Sequence, residues 1–286
     1  MSIWLPTAPC SSACVGDESA GVRVPRAVLR LAALLAVLVV GVVFLPFGRW
    51  VPARGVRLFA RAVVRATGVR LRLTGAAPPA GGVLVVANHI SWLDIPLLAA
   101  VRPARMVAKK EIRRWPVAGF LAARAGVVFI DRDRLRALPG TVASLAAVLG
   151  RGGAVAVFPE GSTWCGRARG TFRRAAFQAA LDAGTPVQPV RLGYRLPDGT
   201  VSTAPAFVGD DTLLAALWRV VSARRIVAHV EIRPVLAAGR HADRRSLAEA
   251  AQDASGRRAP HGPPARTLAE ASSRRLGAQD PSRRPR

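Results

Sequence analysis

The stretch Val83-Leu-Val-Val-Ala-Asn-His-Ile-Ser-Trp-Leu-Asp-Ile-Pro96 decides the fold class. Val83 to Ala87 are five apolar, mostly β-branched residues, which predict a buried strand. Asn88, His89 and Ser91 then predict a turn. A helix follows over Pro96 to Val101, since proline is tolerated near a helix start, with Ser91 or Asp94 as its N-cap. The same alternation continues downstream. Apolar runs at Arg105 to Ala108, Val127 to Ile130, Ala154 to Phe158, Val187 to Leu192 and Ile226 to Ile232 read as strands. Trp115 to Arg124, Thr141 to Leu149, Phe172 to Ala183 and Thr212 to Ser222 read as helices between them. The expectation is an α/β domain over residues 70–235, with a mixed, largely parallel sheet flanked by helices.

The whole chain has 286 residues, of which 51% are hydrophobic. That length and content suit one or two domains with a sizeable core and exclude a wholly disordered chain. There are 42 Lys+Arg against 17 Asp+Glu, a formal net charge of +25. Only Lys109 and Lys110 are lysines. Such an excess points to a phosphate-bearing partner, either nucleic acid, an anionic membrane or a phosphorylated substrate. A compositional bias towards Arg, Ala, Gly and Pro competes as an explanation. Cys10, Cys14 and Cys165 cannot form a disulfide framework and lack metal-site spacing, so they read as ordinary thiols in a reducing compartment. Residues 236–286 are rich in Arg, Ala and Pro and read as a disordered tail.

The N-terminal part has its own character. Residues 1–22 carry turn formers without periodicity and read as a flexible start. Arg23, Arg26 and Arg30 then precede an uncharged apolar run from Leu31 to Phe47, at the short end of what crosses a bilayer. No small-x-small cleavage site follows it, so a membrane-inserted helix is favoured over a signal peptide. Next, Arg54, Arg57, Arg61 and Arg65 recur along one side of a helix, with Leu58, Phe59, Val63 and Val64 beside them. Such a helix fits a headgroup layer, with arginines on lipid phosphate. A helix packed on the domain with a solvated basic face fits the same spacing. Residues 23–69 thus read as membrane attachment. Basic residues after the apolar run place the main domain on the cytoplasmic face of the cell membrane.

His89 lies where α/β sheets hold ligands, in the loop at the carboxyl end of a strand. On a continuous helix, His89 and Asp94 would stand about 140° apart. With His89 in the turn and Asp94 in the first helical turn, they meet. A His–Asp pair is a general base with an orienting carboxylate. The chain has no Gly-x-Ser-x-Gly elbow, so the attacking hydroxyl can belong to the substrate. From the spacing alone, a cap role for Asp94 and a turn role for His89 are the better reading. Three further segments end or open strands: Gly126-Val-Val-Phe-Ile-Asp-Arg-Asp-Arg134, Phe158-Pro-Glu-Gly-Ser-Thr163 and Thr185-Pro-Val-Gln-Pro-Val190. Glycine admits close backbone approach, and arginine offers a fork for phosphate.

Taken together, these segments resemble four sequence blocks of the glycerolipid acyltransferase family that includes lysophosphatidic acid acyltransferases. Asn88 to Asp94 is similar to its His-x4-Asp block, and Gly126 to Arg132 to its second. Phe158-Pro-Glu-Gly161 is similar to the third block and Val187 to Val190 to the fourth, in the family's order. The resemblance implies a glycerol-3-phosphate acyltransferase-like fold with an N-terminal membrane-inserted helix. It implies that His89 is the base and Asp94 its partner. It implies that Arg132, Glu160, Gly161 and Ser162 bind the acceptor. No metal or bound cofactor is implied, only a lysophospholipid acceptor and an acyl-CoA or acyl-carrier protein donor. The chain departs from the family pattern at Thr163 and Trp164, where arginine is frequent, with Arg167 or Arg169 as stand-ins. Gln188 stands where an apolar residue or proline is common, read as a change of the sheet surface.

The leading expectation is acyl transfer to the hydroxyl of 1-acylglycerol-3-phosphate, giving phosphatidate, at an anionic membrane. Another lyso-lipid acceptor, such as lyso-ornithine lipid, is the runner-up. A basic nucleic-acid-binding protein would explain the charge. It is disfavoured by a single tyrosine, the lack of a nucleic-acid motif and the apolar anchor.

Overall fold

In the computed structural model, which describes residues 8–16, 24–76, 78–114, 126–130 and 135–256, Val83–Ala87 is a central strand buried at every position. A strand covered on both faces has no polar side, which is why this run does not alternate. It is β2 of a seven-stranded sheet among the described residues. The others are β1 Val69–Gly75, β3 Arg105–Lys109, β4 Val128–Ile130, β5 Ala154–Val157, β6 Val187–Arg195 and β7 Ile226–Ile232. Their spatial order is β1-β7-β6-β2-β5-β3-β4. Each neighbouring pair is parallel except β6 and β7, which run antiparallel with Val190 opposite Ile232 and Arg195 opposite Val227. The expected mixed, largely parallel sheet is therefore present. β1 is a strand that the sequence reading passed over. Only Val69 in it is buried, so as an edge strand it carries a weak apolar signal.

Helices cover both faces. The described ones are α1 Val24–Phe44, α2 Ala53–Ala66, α3 Asp94–Val101, α4 Leu138–Gly150, α5 Ala175–Asp182, α6 Leu213–Ser222 and α7 Arg244–Ala254. On one face Val83, Val85 and Ala87 pack with Leu97 and Leu98 of α3, Val64 of α2 and Val220 of α6. On the other, Leu84 and Val86 pack with Leu145 and Leu149 of α4, Phe177 of α5 and Leu247 of α7. The helix expected over Trp115 to Arg124 lies outside the described residues.

Three departures from the sequence reading have clear causes. First, residues 236–256 are not a disordered tail. Leu236 exchanges two main-chain hydrogen bonds with Val187, and α7 docks through Leu247, Ala248 and Ala251. Asp243 caps α7 by accepting from the N–H groups of Arg245 and Ser246, at 2.9 and 2.8 Å. Second, residues 8–16 are not a flexible start, because Cys10 is buried in the core beside Cys165. Third, Gln188 is buried, and its amide donates to the main-chain oxygens of Pro189 and Arg233. It closes a hydrogen-bond gap in the sheet rather than decorating the surface.

The apolar helix α1 has 21 residues and is long and apolar enough to cross a membrane. Its first turns are held by the domain. Arg26 donates to Ser222 O at 3.1 Å, and Arg30 donates to Val221 O and Ala223 O at 2.8 and 2.7 Å. These carbonyls end α6, where cations suit the helix dipole. Beyond that anchor Leu35, Leu38, Val39, Val42 and Phe44 are exposed. In α2 the expected lipid-facing set divides, since Val63 and Val64 are buried against the domain while Leu58 and Phe59 are exposed.

Candidate active site

The loop after β2 turns sharply because Asn88 fastens its start to β6. Its amide donates to Leu192 O at 3.0 Å, and Leu192 N–H donates back to its carbonyl oxygen at 2.8 Å. Ser91 to Asp94 then form a turn that leads into α3, with Asp94 in the first helical turn. Its carboxylate does not cap the helix. It bends back into the loop, where Oδ2 accepts from the N–H groups of Ile90 and Ser91 at 2.6 and 2.8 Å. His89 Nδ1 lies 2.9 Å from the same oxygen. His89 and Asp94 therefore meet in the way the turn-plus-helix reading requires. An ionised Asp94 makes Nδ1 the protonated nitrogen and leaves Nε2 as the basic one.

The other Asp94 oxygen is held by a residue that sequence reasoning missed. Tyr194, the chain's single tyrosine, donates its hydroxyl to Asp94 Oδ1 at 2.6 Å. It sits on β6, two residues past the strand position that Asn88 clasps. Burial, then the Asp94 charge, holds the Tyr194 hydroxyl well above the ordinary phenol range, so it stays a donor. A single aromatic residue in this strand, and the chain's one tyrosine, was the available signal. Asp94 is fully buried while the His89 side chain is 20% exposed. The pair thus offers an open imidazole backed by a closed carboxylate.

The loop after β5 forms the second wall. The ring of Phe158 stacks on that of His89, with centroids 3.9 Å apart. Phe158 to Gly161 make a turn closed by Gly161 N–H on Phe158 O at 3.1 Å, with Gly161 at φ +76°, which favours glycine. Glu160 is buried, and both of its oxygens are engaged. Oε2 accepts from His89 N–H at 2.7 Å and Oε1 from Gly170 N–H at 2.9 Å. Burial pushes its carboxyl up to about 7, against the pull of those two amides and of Arg169. A main-chain bond from Trp164 N–H to His89 O, 2.8 Å long, adds a further tie between the loops. Ser162 Oγ is sheltered from solvent and has no hydrogen-bond partner among the described residues.

Glu160, Gly161 and Ser162 are thus gathered beside His89, whereas Arg132 lies outside the described residues. Of the two stand-in arginines, Arg167 is exposed. Arg169 instead donates to Ser255 O and Gly256 O at the end of α7, at 2.8 and 3.2 Å. Cys10, Cys14 and Cys165, which the linear spacing left unrelated, come together with their sulfurs within 4.8 Å of one another.

This arrangement fits what the chain is similar to. Residues 69–193 match the family described as Acyltransferase. The chain is 41% identical over 189 residues to a lyso-ornithine lipid O-acyltransferase of Pseudomonas aeruginosa, covering 64% of this chain and 70% of that one. It is 38% identical over 195 residues to a 1-acyl-sn-glycerol-3-phosphate acyltransferase of Neisseria meningitidis serogroup B, covering 68% and 76%. The crystal structure of the 1-acyl-sn-glycerophosphate acyltransferase from Thermotoga maritima shares the fold, with a TM-score of 0.59 and 18% identity over 89% of this chain and 98% of that one. The chain belongs to the glycerolipid acyltransferase family, enzymes of the lysophosphatidic acid acyltransferase type that transfer acyl groups.

Proposed function

We propose that this enzyme moves a fatty acyl group from acyl-CoA or acyl-carrier protein to the free hydroxyl of 1-acylglycerol-3-phosphate, giving phosphatidate. The observation that carries this reading is the buried Asp94 carboxylate 2.9 Å from His89 Nδ1, in the loop at the end of a parallel strand. His89 Nε2 takes the proton of the acceptor hydroxyl as its oxygen attacks the thioester carbonyl. Asp94 supports the imidazolium that forms. Collapse of the tetrahedral adduct breaks the carbon–sulfur bond, and the leaving thiolate takes the proton from His89. Gly161 and Ser162 line the acceptor side, with Ser162 Oγ as a ready hydrogen-bonding group. Glu160 serves that side by locking its loop onto His89, since both of its oxygens are occupied. Arg132 is the residue proposed for the acceptor phosphate. No resident metal or cofactor takes part in this chemistry.

The enzyme works at the cell membrane, with α1 inserted and the catalytic domain on the cytoplasmic face. Arg54, Arg61 and Arg65 of α2 are exposed and meet anionic lipid headgroups. Nucleic acid is not a partner in this account.

A second reading takes lyso-ornithine lipid as acceptor. It is favoured by the 41% identical relative and by the loop after Glu160. There Thr163 binds Phe207 O and Trp164 is buried, so neither supplies a cation for phosphate. Purified enzyme, one labelled acyl-CoA and a panel of lyso-lipids decide between them. Labelled phosphatidate as the main product supports the first reading. Labelled ornithine lipid replaces it with the second, and no transfer to any lyso-lipid contradicts both.

A further inference from the structure

The N-terminal segment 8–16 lies across two loops that both touch the catalytic loop. Gly16 N–H donates to Thr203 Oγ1 at 2.7 Å, and Cys10 and Ser11 pass close to Gly209. Cys10 belongs to the same buried cluster as Cys165, Trp164, Ala204 and Ala206. From there the ties run inward, with Trp164 N–H on His89 O and Phe207 N–H on Ile90 O, at 2.8 and 2.9 Å. At the centre of this contact are three sulfurs. Cys10, Cys14 and Cys165 Sγ all lie within 4.8 Å of one another, two of them on buried residues and Cys14 partly open. The Cys10–Cys14 pair spans a single 3-10 turn at Ser12–Cys14, so one short loop presents both sulfurs to the third. Cys165 N–H donates to Cys10 Sγ at 3.4 Å, which ties two of the three sulfur-bearing residues directly.

We propose that Cys10, Cys14 and Cys165 form a three-thiolate site for a thiophilic d10 cation, of the zinc or copper(I) class, that staples the N-terminal segment to the catalytic loops. Three thiolates on one such ion at about 2.3 Å stand about 3.8 Å apart, inside the 4.8 Å within which the three sulfurs already lie. A disulfide would use only two of the sulfurs and must draw them to about 2.05 Å. The partly open Cys14 side gives the ion an entry path and room for a fourth ligand. Because the segment and the domain are far apart in sequence, the ion contributes to folding by closing that long connection.

The test uses the full-length protein, purified in detergent under reducing conditions without chelator. Elemental analysis should find about one zinc or copper per chain, and which of the two names the ion. The metal-stripped protein should take up Cd2+ to the same stoichiometry, with thiolate-to-metal charge-transfer absorption in the ultraviolet. A chelator should lower the melting temperature of the wild type but not that of a Cys10→Ser/Cys14→Ser/Cys165→Ser variant. If that variant fails to fold, the metal content and Cd2+ absorption of the wild type still decide. A wild type that carries no metal and gives no Cd2+–thiolate band overturns the proposal. So does a triple-serine variant that binds Cd2+ equally well, or a Cys10–Cys165 disulfide in metal-free protein isolated without reductant.

Discussion

At the scale of single residues, the site turns on how Asp94 is held. Two main-chain amides, the His89 ring and the Tyr194 hydroxyl all converge on its carboxylate. With no exposure to water, those groups replace its hydration shell and keep it aimed at Nδ1. Tyr194→Phe removes one of them without changing shape. Leaving Asp94 Oδ1 short of a donor should cost about 1–3 kcal/mol in chemical denaturation and lower the acyl-transfer rate. A variant with unchanged stability and rate would show that Tyr194 does not position the carboxylate. Glu160 gives a pH-dependent prediction. Its carboxyl is raised to about 7 from an ordinary 4.5, so the folded state keeps a proton that the unfolded chain releases. The stabilisation is complete below the unfolded value and is lost as pH rises through about 7. Melting curves of wild type and Glu160→Gln across that window should show the wild type losing ground as pH rises. Parallel curves would contradict a buried, titrating Glu160.

Among the elements, α7 shows what the sequence signals could and could not carry. The strands at Val83–Ala87 and Ile226–Ile232 were legible because one is apolar throughout and the other alternates strictly in burial. The His89–Asp94 pairing was legible because a strand end, a turn and Pro96 force the chain to bend between them. α7 was hidden by its setting, an Arg- and Ala-rich stretch whose buried face is Leu247, Ala248 and Ala251. Two of those three are alanines, too small for composition to register as core. The capping pair Asp243 and Ser246 was the readable clue. The pairings of Tyr194 and of the three cysteines were hidden for another reason. Each acts across the fold, and nothing local in sequence ties Tyr194 to Asp94 or Cys165 to Cys10. The docking of α7 predicts that Leu247→Ala, at a fully buried position, costs about 2–5 kcal/mol by urea denaturation. A cost near zero would mean α7 is only loosely attached.

Across the whole molecule, the +25 charge resolves into different tasks. Arg26 and Arg30 bind the end of α6, and Arg169 and Arg233 bind the end of α7. These arginines brace the fold and are not free for lipid. The exposed arginines of α2 stand near the exposed Leu58 and Phe59, which suits a headgroup layer. Replacing Arg54, Arg57, Arg61 and Arg65 by Gln should weaken binding to anionic vesicles and flatten its salt dependence, read by co-sedimentation. Unchanged binding would leave attachment to α1 alone. The central claim is that His89 is the base for direct acyl transfer to a lyso-lipid hydroxyl, and one comparison tests it most directly. Wild type and His89→Ala, matched for melting temperature, are assayed with a labelled acyl thioester and the preferred lyso-lipid. The account predicts a loss of at least about 10²-fold in the variant. A folded His89→Ala enzyme that transfers acyl groups at the wild-type rate would contradict it.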